Sequence, residues 1–274
     1  MNETMLQARL CERVVPVGRG ADALLHRMQE TSVPGDPAFV SETPSSGAHG
    51  TLYLALDDRV MEALRMKGIP CACVLPEKGT APDFAGAKIL LSSPWDIDAG
   101  DFEKIYRRLY HLPWIIGTTP RLLLREVMLS DIPALYALYD GEAKRYLPPL
   151  PDDPEEEKKI LRAYIEKVYG LMGYGYWAVI ERKTGELVGR AGFGVPAREE
   201  DQAELGYVIR RDKREKGYAK EAVQAAIDYE RRMLCFPGVI ALTEAENIPS
   251  RRLLVSLGFR ELPRQKDGLC RYAL

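Results

Sequence analysis

The chain has 274 residues, with 38 Lys and Arg against 40 Asp and Glu, a formal charge of -2, 46% hydrophobic residues and 28% charged ones. That length suits two domains of ordinary size, and the balance is that of a folded chain rather than a disordered or membrane-embedded one. Near-neutral charge excludes the broad basic face with which a general nucleic-acid binder neutralises phosphates.

From the start of the chain, Glu3, Arg9, Glu12 and Arg13 interrupt any secretory leader, and no apolar run approaches the roughly 18 residues of a membrane span. Ala21 to Glu30 places Leu24, Leu25 and Met28 on one face and predicts a short helix, and residues 34–50 collect prolines, glycines and serines into a loop. Thr51 to Leu56 reads as a strand, Arg59 to Lys67 as a helix stopped by Gly68, Ile69 to Leu75 and Lys88 to Leu91 as strands, and Asp101 to Tyr110 as a helix. Strands and helices alternating at this spacing predict a small α/β domain with parallel strands over 1–112. Cys71 and Cys73 share one face of their strand. With Cys11, Cys235 and Cys270 they read as reduced thiols of a cytoplasmic protein. His26, His49 and His111 lack ligand spacing, so no metal site is expected.

A proline-bounded linker, 113–120, separates this part from a second domain over 121–274. There Leu122 to Val127 is a strand, and Asp131 caps a helix carrying Ile132, Leu135, Tyr136 and Tyr139 on one stripe. Asp153 starts a longer helix, with Pro154 at its first position and Glu156 completing a capping box; Ile160, Leu161, Tyr164, Ile165 and Val168 are its expected buried face. Tyr176 to Glu181 and Leu187 to Phe193 form a hairpin across Lys183-Thr184-Gly185. Glu204 to Ile209 is a strand, Lys220 to Met233 a helix, Val239 to Thr243 a strand, and Ser250 to Leu257 a helix ended by Gly258.

Chemistry concentrates after Glu204. A strand there runs into Arg210 to Lys213 and then Arg214-Glu215-Lys216-Gly217-Tyr218-Ala219, which opens a helix. Unpaired N–H groups and the positive end of the dipole make such a helix start an anion cradle, with Gly217 allowing close approach of a phosphate and Ala219 leaving the first turn clear. Some thirty residues later stand Asn247-Ile248-Pro249-Ser250 and Gly258-Phe259. Together these motifs resemble the acetyl-CoA-binding core of the GNAT N-acetyltransferase superfamily, over roughly 121–274. The similarity is greatest to the branch with ribosomal-protein and other protein N-terminal acetyltransferases, where Leu124-Arg125-Glu126 and Gly206 to Ile209 have counterparts. The first domain shows only a faint similarity to haloacid-dehalogenase-like, Rossmannoid domains. It stops before chemistry, because Asp96 and Asp98 do not directly follow a strand and helix capping accounts for them.

The resemblance implies an α/β (α+β) chain whose second domain has a splayed mixed sheet, with acetyl-CoA as cosubstrate and no metal. It implies pantetheine contacts from Tyr207, Val208 and Ile209, pyrophosphate contacts from Arg214, Lys216, Gly217, Tyr218 and Ala219, and cofactor contacts from Asn247 and Ser250. Asn247 is equally a helix cap. Amine acylation needs a neutral nucleophile, so Glu204 is the candidate base, against the plainer reading of a solvated strand-end carboxylate; the Val208 N–H is the candidate oxyanion donor. The tyrosine that many members place seven residues after the asparagine is Leu254 here, which leaves Ser250, Tyr207 or water to protonate the leaving thiolate. Tyr146, Tyr174, Tyr176 and Trp177 are candidates to line the acceptor site, with a core role equally open for Trp177. The expected activity is acetyl transfer to a primary amine of a protein, peptide or small molecule, by direct attack in a ternary complex. The alternative is a catalytically weak acyl-CoA sensor with a regulatory N-terminal domain. General nucleic-acid binding and membrane association are not expected, and a homodimer contact is one of the roles open to the first domain.

Overall fold

Parallel strands cannot be joined by tight turns and need crossover segments, and the first half of the chain supplies them. In the computed structural model, residues 10–34, 36–45, 49–139, 141, 143–194, 202–263 and 268–274 are described. They divide into two compact units, one ending at Trp114 and the other running from Ile115 to Leu274.

In the first unit, β1 (Arg13–Val17), β2 (Ala38–Phe39), β3 (Thr51–Ala55), β4 (Cys71–Val74) and β5 (Leu90–Leu91) form one parallel sheet in the order β2-β1-β3-β4-β5. Helices α1 (Ala21–Thr31) and α3 (Ala99–Leu109) bury Leu24, Met28, Phe102 and Tyr106 against Val14, Leu52 and Leu54. Helix α2 (Asp58–Met66) buries Met61 and Leu64 against Val15, Tyr53 and Ala55. Successive strand residues point to opposite faces, so the two residue sets are the two covered faces of a doubly wound sheet, its order reversing between β1 and β3. The central strand β1 escapes the sequence patterns because Pro16 interrupts it. The Val14 carbonyl accepts from the Val40 N–H on the β2 side while the Val17 carbonyl accepts from Leu56 on the β3 side, so the Pro16 nitrogen faces β2 beyond that strand's end and no ladder bond is lost. Short β2 lies inside the stretch expected to be all loop, of which residues 35 and 46–48 fall outside the described residues. Asp98 accepts the Asp101 N–H at 2.9 Å and so caps α3. Cys71 and Cys73 both contribute to the α2-side core.

The second unit is built on an eight-stranded sheet, ordered β12-β13-β11-β10-β9-β8-β7-β6. Its strands are β6 (Ile115–Thr118), β7 (Leu122–Arg125), β8 (Tyr176–Glu181), β9 (Leu187–Gly194), β10 (Gln202–Ile209), β11 (Gly238–Thr243), β12 (Arg260–Glu261) and β13 (Cys270–Ala273). All neighbours are antiparallel except β10 and β11. The stretch expected to be a linker is therefore corrected: Ile115–Thr118 is an edge strand, with Ile116 in the core. A linker needs no partner, but an apolar Ile-Ile pair beside the exposed edge of β7 does.

Helix α4 (Ile132–Leu138) and helix α5 (Pro154–Tyr164) pack with Leu123, Ala178, Ile180 and Leu187 on one face of this sheet. On the other face, α6 (Tyr218–Tyr229) presents Ala222, Val223, Ala226 and Ile227 to Leu122, Leu124, Trp177, Val179 and Leu205. Helix α7 (Ile248–Ser256) contributes Leu254 to that second core. Two expectations about α4 and α5 are corrected. Asp131 does not cap α4; its carboxylate takes two bonds from the Arg125 guanidinium, at 2.7 and 2.8 Å, and one from the Met128 N–H at 2.7 Å. On α5, Asp153 caps the Glu155 N–H, Ile160 is half exposed, and a π turn over Ile165–Tyr169 advances the stripe so that Tyr169 rather than Val168 is buried. Among the described residues no helix is long and apolar enough to cross a membrane.

Candidate active site

The site begins as a defect in the sheet. Strand β10 pairs with β9 from Glu204 to Ile209, but with β11 only through Gln202, Ala203 and Glu204, opposite Gly238, Val239 and Ile240. Beyond Glu204 the two parallel strands part, and a cleft of about 480 Å³ opens between them, lined among others by Tyr139, Tyr146, Tyr176, Glu204, Tyr207, Thr243 and Ser250.

Ladder geometry decides which backbone groups face the opening. The Arg210 N–H donates to the Val188 carbonyl at 2.8 Å. Hydrogen-bonded pairs recur at every second residue of an antiparallel ladder. Val208 opposite Arg190 and Gly206 opposite Gly192 are therefore bonded pairs too, and their N–H groups point into the sheet. The expected use of the Val208 N–H is thereby corrected. The N–H groups on the parted side belong to Tyr207 and Ile209. One carbonyl on that side, that of Ile209, accepts from Arg214 Nε at 2.9 Å.

The same alternation sorts the side chains. Glu204 and Val208 lie on the face of α4 and α5, with Tyr176, which is opposite Gly192. Glu204 is half-buried, and desolvation pushes its carboxyl above the ordinary glutamate value. Tyr207 lies toward the α6 and α7 side, where its hydroxyl and Ser250 Oγ are 2.8 Å apart. Burial raises the Tyr207 phenol and the Ser250 bond lowers it, with a net upward result. Asn247 Oδ1 accepts the Ser250 N–H at 3.2 Å, capping α7 while standing on the cleft wall. Buried Leu254 also reaches that wall.

Of the four aromatic candidates, Tyr146 and Tyr176 line the cleft and two do not. Trp177 is fully buried against Phe193 and Tyr229, because its neighbour Tyr176 already occupies the cleft face of β8. Tyr174 is buried against Phe236 in the same core. Sequence patterns missed Tyr139, Leu147, Pro148 and Arg190 in the lining. Only Arg190 had left a signal, as a lone charge inside the apolar run Leu187 to Phe193.

Gly217 precedes α6 with φ +80°, a conformation that favours glycine, and α6 has no side-chain cap. The early N–H groups of this helix, with those of Tyr218 and Ala219 among them, have no intrahelical partner by geometry. The basic residues around them are less free than their number suggests. Lys213 pairs with Glu181 at 2.7 Å, and Arg210 pairs with Glu186 and Asp212. Lys216 Nζ donates to the Asp212 carbonyl. The Tyr218 hydroxyl donates to Glu181, whose carboxyl is pulled down to about 2 by Lys213 first and Tyr218 second. Tyr218 therefore presents its backbone, not its phenol, to the cradle. Among the described residues no group of three or more His, Cys, Asp and Glu could hold a metal.

Comparison with known proteins fits this geometry. The family described as "Acetyltransferase (GNAT) domain" matches residues 121–260. The chain belongs to the GNAT acetyltransferase family. An uncharacterized N-acetyltransferase, p20, of Bacillus licheniformis is 34% identical over 154 residues, 56% of this chain and 84% of that protein. Another, YnaD of Bacillus subtilis (strain 168), is 31% identical over 147 residues, 52% of this chain and 81% of its own. Among solved structures, RimL, a ribosomal L7/L12 alpha-N-protein acetyltransferase, shares the fold with a TM-score of 0.52 at 20% identity, over 60% of this chain and 96% of its own. A ribosomal-protein-S5-alanine acetyltransferase from Vibrio fischeri does so with 0.50 at 18%, over 58% and 94%. As a GNAT protein, this chain is an acyltransferase of the N-acetyltransferase class.

Proposed function

We propose that this GNAT domain transfers an acetyl group from acetyl-CoA to a primary amine by direct attack, with donor and acceptor bound together. The observation that carries the reading is the parting of β10 from β11 after Glu204, because it exposes one strand edge between two chemically different walls. An extended pantetheine arm fits that edge as an added strand would, using the Tyr207 and Ile209 backbone. The start of α6 at Gly217, Tyr218 and Ala219 suits the pyrophosphate, with Arg214 and Lys216 beside it and Asn247 and Ser250 on the far wall.

In this reading the acceptor ammonium gives a proton to Glu204, whose burial makes its carboxylate a stronger base than an exposed glutamate. The amine nitrogen bonds to the thioester carbon, the Tyr207 N–H stabilises the oxyanion, and the carbon–sulfur bond breaks as the tetrahedral intermediate collapses. The leaving sulfur takes a proton from the Tyr207 hydroxyl, held by Ser250 in place of the absent tyrosine at Leu254; as the amide forms, the second proton of the attacking nitrogen passes through water to that phenolate, and Glu204 returns its own proton to solvent. Tyr146 and Tyr176 border the acceptor. The N-terminal amines of ribosomal proteins, named for the solved structures above, belong on the list of acceptors to test.

The test is calorimetric titration with acetyl-CoA together with thiol release over a panel of amines, peptides and polyamines. Binding with turnover of at least one amine is expected. Binding without turnover on any of them would favour the sensor, and no binding would end both readings.

A further inference from the structure

The acceptor-side face of the cleft carries a cation that acetyl transfer itself does not use. Arg190 on β9 stands opposite Val208, and Glu204 opposite Gly194, so both side chains rise from the same face. Between them lie Gly194 and Gly206, and the ring of Tyr176 fills the space these two glycines leave. A Cβ on Gly206 would stand 2.7 Å from Tyr176 Cε1, and one on Gly194 2.6 Å from the Tyr176 hydroxyl. Basic group, aromatic ring and carboxylate thus follow one another along the strands.

Arg190 is the only basic residue lining this cleft among the described residues. Its guanidinium carbon is 5.8 Å from the ring centroids of Tyr164 and Tyr176. One donor, Nη2, reaches the Tyr176 carbonyl at 3.3 Å, and Nε is buried with no partner. Glu157 on α5 feels the charge of Arg190, yet the two form no ion pair. A buried guanidinium N–H without a partner is costly, and the planar fork of the group, open toward the cleft, matches a carboxylate. The cofactor's phosphates are poorly placed to be that anion, because α6 covers the opposite face of the sheet.

We propose that the acceptor is a small amine that also bears a carboxylate, as amino acids do, with Arg190 gripping the carboxylate while the amine lies toward Glu204. The assignment rests on the acetyl-transfer reading above and narrows its substrate.

The test uses the full chain and acceptors in matched sets: an amino acid, its amide and its decarboxylated amine, for example lysine, lysinamide and cadaverine, with an acidic dipeptide and its neutral counterpart to separate a side-chain carboxylate from an α-carboxylate. The carboxylate-bearing member is expected to have at least about 10-fold higher kcat/KM, and Arg190→Gln to raise its KM about 10- to 100-fold while leaving the decarboxylated amine and the acetyl-CoA KM unchanged. Arg190→Lys, which keeps the charge without the fork, should fall between. Equal kcat/KM within the sets, or equal losses for charged and neutral acceptors in Arg190→Gln, would overturn the proposal. If no acceptor releases thiol, the acetyl-transfer reading fails separately. The carboxylate site is then decided by titrating glutarate: binding to the wild type that Arg190→Gln loses upholds it, and no binding to the wild type overturns it.

Discussion

Glu204 sits where the sheet begins to split, next to the tyrosine ring of Tyr176 and short of full exposure, and its two properties pull against each other. Burial raises its carboxyl above the value in the unfolded chain. Its contribution to stability is therefore complete below the unfolded pKa of about 4.3 and is lost as pH rises through the higher folded value. Under the proposed mechanism, the same desolvated carboxylate is the base. Glu204→Gln should accordingly raise the melting temperature at pH 7.5 and leave it nearly unchanged at pH 4, while lowering turnover by about 10²-fold or more. The loss should be largest on the acid side, where the acceptor is most protonated. A pH series of thiol-release rates beside thermal melts checks both halves, and an unchanged pH–rate profile would remove Glu204 as base. A neighbouring residue shows how side-chain direction overrides composition: Tyr176 and Trp177 are adjacent aromatics, and the pleat sends one into the cleft and the other into the core.

Helix starts and helix phase matter at the next scale. Helix α6 begins at a glycine with φ +80°, where any side chain is strained by about 1–2 kcal/mol, and a Cβ there would stand 3.3 Å from Arg121 Nη2. Gly217→Glu adds a negative charge at the proposed pyrophosphate position. Acetyl-CoA affinity should fall by about 100-fold or more, whereas Gly217→Ala, with the strain but no charge, should keep most of it. Calorimetry on both separates the two effects; equal affinities for Gly217→Glu and wild type would remove the pyrophosphate assignment. Helix α5 illustrates phase. A regular 3.6-residue stripe through Ile160 and Val168 is what the sequence predicts, but the π turn inserts an extra residue, and Tyr169 takes the buried position. There its hydroxyl donates to the Tyr176 carbonyl at 2.6 Å, so the irregular turn helps fix the strand that carries the cleft tyrosine.

At the scale of the whole chain, the two units have separate sheets and separate cores. The family match begins at residue 121, yet the second unit begins at Ile115, because β6 closes the edge of β7. We infer that residues 115–274 carry acetyl-CoA binding without the first unit. A fragment over 115–274 should bind acetyl-CoA within about 3-fold of the full chain, since its core and cleft are its own. A fragment starting at 121 loses buried Ile116 and bares the β7 edge, and it should melt lower and aggregate more readily. Binding by calorimetry and light scattering on heating distinguish the two fragments. Failure of the longer fragment to bind would assign part of the site to the first unit.

The sequence by itself determined the alternation of elements, the glycine-marked start of α6, the Asn247 cap and the family, because each is a local pattern of a few residues read along the chain. It missed β1, where a proline hides in a central strand, and β6, whose need for a partner is visible only beside β7. The cleft was legible in part: Glu204, Tyr207, Asn247, Ser250, Tyr146 and Tyr176 do meet on its walls. Which backbone N–H faces it, which aromatic enters it, and that Arg190 stands on the same face as Glu204 depend on ladder register and on the point where β10 leaves β11. Those are pairings between distant segments, and only the tertiary structure decided them.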